Sequence, residues 1–208
     1  WQCTAPSAGE AAQDELLDAY EFVNRSLPIK ELRHCITHAN FPSPRNLERC
    51  RALGVVADVQ PAWLYKDGAS LVRELGPDRM RWFQPYKTWL QYTTIGGGSD
   101  HMLRFDPMTS TNPWHPWLGL ATAVTRQTER GGVHEPDEAL TREEAVRLYT
   151  INNAYLTHEE KTKGSLEVGK LGDLIVIDRD VLSCPADAIR DTKVLLTVLG
   201  GKVVYEKE

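Results

Sequence analysis

The chain has 208 residues, 41% hydrophobic and 25% charged, with a net charge of −5. These values suit a globular protein with a sizeable core, and no Lys/Arg cluster marks a nucleic-acid footprint. No apolar run reaches the ~20 residues that span a bilayer, so neither a nucleic-acid nor a membrane partner is expected. No signal peptide is visible, although a chain opening on Trp1 rather than Met says little about its own start. A cytoplasmic location is the expectation. The four cysteines, Cys3, Cys35, Cys50 and Cys184, form no C-x-x-C pair. Buried free thiols are expected rather than a disulfide framework, with Cys3 and Cys35 in apolar, strand-like stretches.

In chain order, residues 1–7 read as a short strand. Residues 9–23 read as a helix, with Ala12, Leu16, Ala19, Tyr20 and Val23 at helical spacing. Residues 32–39 alternate like a strand, and Pro42-Ser43-Pro44 acts as a breaker. A helix is predicted over 45–53, stopped by Gly54. Residues 55–60 form a strand closed by Pro61. Helical pieces follow over 63–91, interrupted at Gly68, Gly76, Pro77 and Pro85. A Gly-rich strand covers 93–99 and ends at Asp100. Four strands separated by mostly helical crossovers argue for a parallel sheet with helices packed outside. A loop rich in Pro and Trp over 102–117 leads to a helix over 118–129. The next helix opens on the capping box Thr141-Arg142-Glu143-Glu144 and runs to about residue 155. The tail is β-rich over 174–178, 193–199 and 202–205. Gly200-Gly201 joins the last two runs as a tight hairpin, whose turn needs positive φ. Trp82, Phe83, Trp89, Trp114 and Trp117 are expected in core and crossover packing.

Two residues stand where chemistry is usually placed. His38 lies at the C-terminal end of its strand, on the face shared by His34 and Ile36, and parallel α/β sheets bind ligands outside those ends. Taken alone, it reads more readily as a hydrogen-bonded structural histidine. Asp100 follows Gly96-Gly97-Gly98-Ser99 at another strand end, where glycines let backbone or ligand approach closely. A carboxylate there can bind a metal or take a proton from water, and serves equally well as a turn or cap residue. His34 sits deeper and reads as core, His101 as a rim residue, and His115, His134 and His158 as non-catalytic. The three glycines are no phosphate loop, because no Lys-Ser/Thr pair follows them.

The segment Arg33-His34-Cys35-Ile36-Thr37-His38-Ala39 resembles the R-H-x-I-x-H-A stretch of the amidohydrolase superfamily. Gly98-Ser99-Asp100 is similar to its G-S-D at the last barrel strand. Glu143-Glu144-Ala145, Thr150 and Asn153-Ala154 resemble its E-E-A…T…N-A helix. The run Lys163-Gly164-Ser165-Leu166, continuing through Gly169-Lys170 to Asp173-Leu174, resembles its C-terminal K-G-S-L-x-x-G-K-x-A-D-L signature. The nearest pattern is the amidohydrolase-3 branch, which includes N-substituted formamide deformylases.

The resemblance implies an α/β fold: the C-terminal half of a (β/α)8 TIM barrel, about four βα units over 1–160, with a small β-sandwich-type appendage over 161–208. It implies metal-dependent hydrolysis of carbon–nitrogen bonds other than peptide bonds, in a small-molecule amide or cyclic amide, at a divalent metal of zinc type. By the same resemblance His38 and Asp100 are metal ligands, and Asp100 is the catalytic group that shuttles the proton of the attacking water. Pro6 stands where the family has a further histidine ligand, and proline has no donor atom. The strand-one histidines and the strand-four ligand fall outside this sequence, so the chain alone is expected to be inactive and without a tightly held metal. A missing N-terminal half, or a homodimer partner, is expected to cover apolar side chains such as Val56 and Ile95 and the free edges of the end strands. The competing reading is a non-catalytic binding or scaffold module that has lost its ligands. A third, an unrelated doubly wound α/β binding protein, requires the tail signature to be chance.

Overall fold

A computed structural model describes residues 1–101 and 112–208. Four short strands, β1 (Thr4–Ser7), β2 (Cys35–His38), β3 (Val56–Val59) and β4 (Ile95–Gly97), form one parallel sheet in the order β1-β2-β3-β4. The register sets Ser7 beside His38, Thr37 beside Asp58, and Asp58 beside Gly96. Helix α1 (Glu10–Asn24) and helix α2 (Pro44–Leu53) form the first two crossovers, while α3 (Pro61–Leu75), α4 (Pro77–Met80) and α5 (Tyr86–Leu90) form the third. The expected breaker at 42–44 is a helix start: the Ser43 hydroxyl accepts from the Asn46 N–H, Asn46 answers on the Ser43 N–H, and Pro44 takes the first turn. Gly54 closes α2 at φ 67°.

The predicted break at Gly68 does not occur, and α3 runs through it. A Cβ there would meet the Thr128 methyl at 2.9 Å, so the glycine serves close packing. Ile36, Ala57, Val59 and Ile95 face the crossover helices and join Leu17, Leu64, Phe83, Tyr86 and Trp89 in the main core. The opposite face is covered in part by the chain itself. Helix α7 (Arg142–Tyr149) and helix α8 (Ile151–Leu156) meet at Thr150, and Leu156 of α8 packs on Cys35 and Val56. Both Val56 and Ile95 are therefore buried without any partner, on opposite faces of the sheet, which corrects the expectation that they stay uncovered. Part of the β4 edge is satisfied too: Asn152 and Asn153 donate to the Ile95 and Gly97 carbonyls, each at 2.9 Å. Gly96 and Gly97 are glycines for this reason, since a Cβ would run into Asn153 and Leu148 respectively.

Helix α6 (Pro116–Thr125) is shorter than the predicted 118–129, stopping where Arg126 turns to φ 57°. The first ten residues of the expected 102–117 loop lie outside the described residues. Trp114, expected in the packing, is exposed, as is Cys3; Cys35 and Cys50 are buried, and all four cysteines are free thiols. The capping box at Thr141 forms as expected.

The tail forms a separate antiparallel sheet, β5 (Leu174–Ile177), β6 (Val194–Leu199) and β7 (Lys202–Glu206). Gly200 and Gly201 turn the β6–β7 hairpin at φ 56° and 76°. Among the described residues this is one three-stranded layer rather than a sandwich. The segment between β5 and β6 returns to the body, where Val181 and Ile189 enter the main core. No described helix is long and apolar enough to cross a membrane.

Candidate functional site

His38 ends β2 and Asp100 lies three residues past β4, so both stand at the C-terminal end of the parallel sheet. Chain direction forces this, because parallel strands put all their C-terminal ends on one side. Strict alternation would carry His38 onto the buried Ile36 face. Instead its φ is 73°, and Ala39 follows at 47°. Two successive left-handed residues cost roughly 1–3 kcal/mol each, so the turn must be held from several sides. The Ala39 N–H donates to the Ser7 carbonyl (3.1 Å) and the Phe41 N–H to that of Ala8 (2.9 Å). The Trp89 indole donates to the Ala39 carbonyl at 3.3 Å. Gln84 binds Asn40 twice, backbone N–H to carbonyl at 2.7 Å and side chain to side chain at 2.9 Å.

The His38 ring stacks on Trp63, with centroids 4.7 Å apart and planes 22° from parallel. Its Nδ1 meets Gln60 Oε1 at 2.9 Å. Between the His38 and Asp100 strands, β3 supplies Asp58. Burial pushes the Asp58 carboxyl up to about 6; nearby His38 opposes the shift and nearby Asp100 adds to it. The register sets Asp58 between Thr37, next to His38, and Gly96. Asp100 is itself left-handed (φ 48°), and Asn112 donates to its backbone carbonyl at 2.7 Å and to its carboxylate at 3.2 Å. A cavity of about 200 Å³ opens beside the end of β4, lined in part by Ser99, Trp114, His115 and Tyr149.

The remaining predicted residues sort as follows. Pro6 is exposed on β1 opposite Thr37, at the sheet edge, where a missing N–H is tolerated. His34 is buried near the other end of the sheet, its Nδ1 accepting from the Cys3 N–H at 3.0 Å and its pKa lowered by burial. His101 is exposed. Asp58, Gln60 and Trp63 were not singled out by sequence. The available signal was a lone carboxylate within the apolar run 55–59, followed by a glutamine at the strand end.

A divalent metal does not find a complete site here. His38 and Asp100 are suitable donor types, but the described residues contain no group of three or more His, Cys, Asp or Glu that could hold an ion. A catalytic zinc ordinarily takes three protein ligands.

The sequence pattern of the Amidohydrolase family matches residues 1–205. N-substituted formamide deformylase of Arthrobacter pascens is 32% identical over 202 residues, covering 96% of this chain and 35% of that protein. Putative amidohydrolase YtcJ of Bacillus subtilis is 28% identical, covering 96% of this chain and 36% of that protein. Among solved structures, an uncharacterized metal-dependent hydrolase from Pyrococcus horikoshii aligns with a TM-score of 0.74 at 26% identity, over 89% of this chain and 35% of its own. The chain thus spans about a third of the length of the relatives it matches.

Proposed function

The chain belongs to the amidohydrolase family, and from that premise we propose that it supplies the His38–Asp100 side of a metal-dependent hydrolase site acting on carbon–nitrogen bonds of small amides or cyclic amides. The observation that carries the reading is the placement of His38 and Asp100 at the C-terminal end of one parallel sheet, with Asp58 on the strand between theirs. In this reading residues 1–160 are a segment of barrel wall, which the sequential strand order β1-β2-β3-β4 supports. The tail beyond 161 is a small β unit whose covering layer comes from further sequence of a longer protein or from a second copy. The metal, of zinc type, would take His38 and Asp100 together with ligands from outside these residues. Asp100 accepts a proton from the attacking water and returns it to the leaving nitrogen, which gives the carboxylate one job in each half of the reaction.

A second reading, a non-catalytic module, has two observations in its favour. Pro6 offers no donor atom where the family pattern has a ligand. Asn152 and Asn153 also occupy the β4 carbonyls that a further barrel strand would need.

A zinc titration tests what both readings share, and two further measurements separate them. Zinc titrated calorimetrically into the 208-residue chain is expected to bind weakly or not at all. The gene upstream of the Trp1 codon is expected to encode an H-x-H on a strand. In the protein so defined, Asp100→Asn should lower amide hydrolysis by about 10²–10⁴-fold. An upstream sequence without such a pair, or an Asp100→Asn protein as active as wild type, sinks the hydrolase reading.

A further inference from the structure

The Gln60 side chain lies directly behind His38, and its orientation is chemically determined. Its Oε1 is 2.9 Å from His38 Nδ1, and its Nε2 donates to the Asp58 carbonyl at 3.3 Å. Turning the amide over would set Oε1 against that carbonyl oxygen, two acceptors facing each other with no proton between them. An amide oxygen can only accept. The proton in the Gln60–His38 contact must therefore come from Nδ1.

We propose that Gln60 is a positioning residue that holds neutral His38 as the Nδ1–H tautomer, leaving Nε2 as the nitrogen that carries the free electron pair. This rests on reading His38 as a site residue; it assigns which nitrogen binds or accepts. Among the described residues Nε2 has no hydrogen-bond partner, whereas Nδ1 is engaged. A histidine's tautomer is set by the bond its other nitrogen makes.

The support extends a further layer into the core. Gln60 is 2% exposed. Its backbone carbonyl accepts from Gln84 Nε2 at 3.1 Å, and the same Nε2 reaches Asn40 Oδ1 at 2.9 Å. Gln84 Oε1 takes the Tyr86 hydroxyl. Arg126, fully buried, donates to the Gln84 carbonyl at 2.8 Å and to that of Phe83 at 3.3 Å. Gln84 thus ties the Gln60 strand end to the His38 turn through paired donors and acceptors. A satisfied buried network of this kind fixes geometry. Trp63 holds the imidazole plane from its face, so the ring cannot swing off the Gln60 oxygen without losing its stack.

The test is nitrogen NMR on the ¹⁵N-labelled, metal-free 208-residue chain at pH 9, well above the ordinary imidazole value. A His38→Gln variant identifies the His38 signals among the six histidines. Wild type is expected to show Nδ1–H, although a free imidazole side chain in water favours Nε2–H. Gln60→Met, similar in volume but without a strong acceptor, should lower the Nδ1–H to Nε2–H ratio at least about fivefold, the worth of one hydrogen bond. Gln60→Leu, which also lacks an acceptor, should lower the ratio in the same direction. A wild-type His38 in the Nε2–H form, or an unchanged ratio in a folded Gln60→Met protein, overturns the proposal. Should Gln60→Met fail to fold, wild type and Gln60→Leu decide: Nδ1–H in wild type with a lowered ratio in Gln60→Leu supports it, and Nε2–H in wild type or an unchanged ratio overturns it. No metal is present, so a failed hydrolase reading leaves this result standing, and an Nε2–H result leaves that reading intact.

Discussion

The tail sheet of this molecule is the more apolar of the two in sequence and the less buried. Ile36, Ala57, Val59 and Ile95 of the parallel sheet are fully buried. In the antiparallel sheet Val176 is 45% exposed, Val204 58% and Leu199 60%, and every residue of β7 is exposed. Burial is worth roughly 25 cal/mol per Å² of apolar surface, so the parallel sheet has collected that stabilisation and the tail largely has not. The parallel sheet is covered on one face by the crossover helices and partly on the other by α8, all from the same chain. The tail presents valines, a leucine and a tyrosine with no second layer among the described residues. A hollow of about 970 Å³, lined in part by Ile151, Leu166, Ile175 and Val198, separates it from α7 and α8. The uncovered apolar surface lies on the tail rather than in the Val56–Ile95 region where strand counting puts it.

The contrast breaks most sharply under paired truncations. Trp89→Ala in the body should cost about 3–5 kcal/mol, the range for emptying a buried aromatic site. Val204→Ser in the tail should change stability by no more than about 0.5 kcal/mol, as for other surface positions. Urea unfolding of the 208-residue chain measures both, and similar losses would mean that the tail is covered after all. Next in size is Arg126→Leu. This side chain donates to the Phe83, Gln84 and His134 carbonyls and lies 4.8 Å from the Tyr86 ring centroid. Removing it strands three buried acceptors, at about 1–3 kcal/mol each at most, partly offset because a buried cation is also removed. A net loss of about 3 kcal/mol is expected from the same unfolding curves.

The acid limb gives a smaller effect. Arg33, at the entry to β2, grips Glu160 with two nitrogens, at 2.8 and 3.0 Å, and donates to the Tyr155 carbonyl, tying the sheet to the end of α8. That guanidinium lowers the Glu160 carboxyl from its ordinary 4.5 to about 2. A depressed acid stabilises the fold above its unfolded value, and the contribution disappears as pH falls from about 4.5 through about 2. Both partners retain some solvent contact, so the pair is worth about 1 kcal/mol. Glu160→Gln should lose that amount at pH 7 and much less at pH 2. Thermal unfolding at the two pH values reads the difference, and an equal loss at both would assign the effect to packing instead of charge.

Much of this architecture is legible in the sequence, because period and punctuation are local. Gly54, Thr141 and Gly200-Gly201 mark turns that the backbone requires, and the four parallel strands fall where alternation puts them. His38 and Asp100 could be placed at strand ends for the same reason. What alternation cannot tell is which face a neighbouring element covers. Val56 and Ile95 were grouped together, yet cross-strand register puts them on opposite faces. Gly96 and Gly97 suggested close approach by backbone or ligand without telling which, and what they admit is α7 and α8. Asp58 and Gln60 escaped notice because their importance lies in what stands across the sheet from them. Gly68 looked like an interruption because its partner, Thr128, is sixty residues away in sequence.

A local effect is expected in the tail hairpin, and it should stay there. Gly201 sits at φ 76°, and its N–H donates to the Gly172 carbonyl at 3.1 Å, while the Gly200 N–H donates to Asp173 at 2.6 Å. The turn is thus fastened to the approach to β5 as well as to its own strands. Gly201→Ala brings a Cβ into open space, so no clash accompanies it. The cost is the left-handed backbone alone, about 1 kcal/mol. Because β7 adds little to the core, that cost should appear as hydrogen exchange roughly fivefold faster at the paired amides of β6 and β7. Exchange in β2 and β3 should not change. Acceleration reaching those body strands would show that the two sheets unfold together, and that the tail is bound to the core more tightly than its exposure indicates.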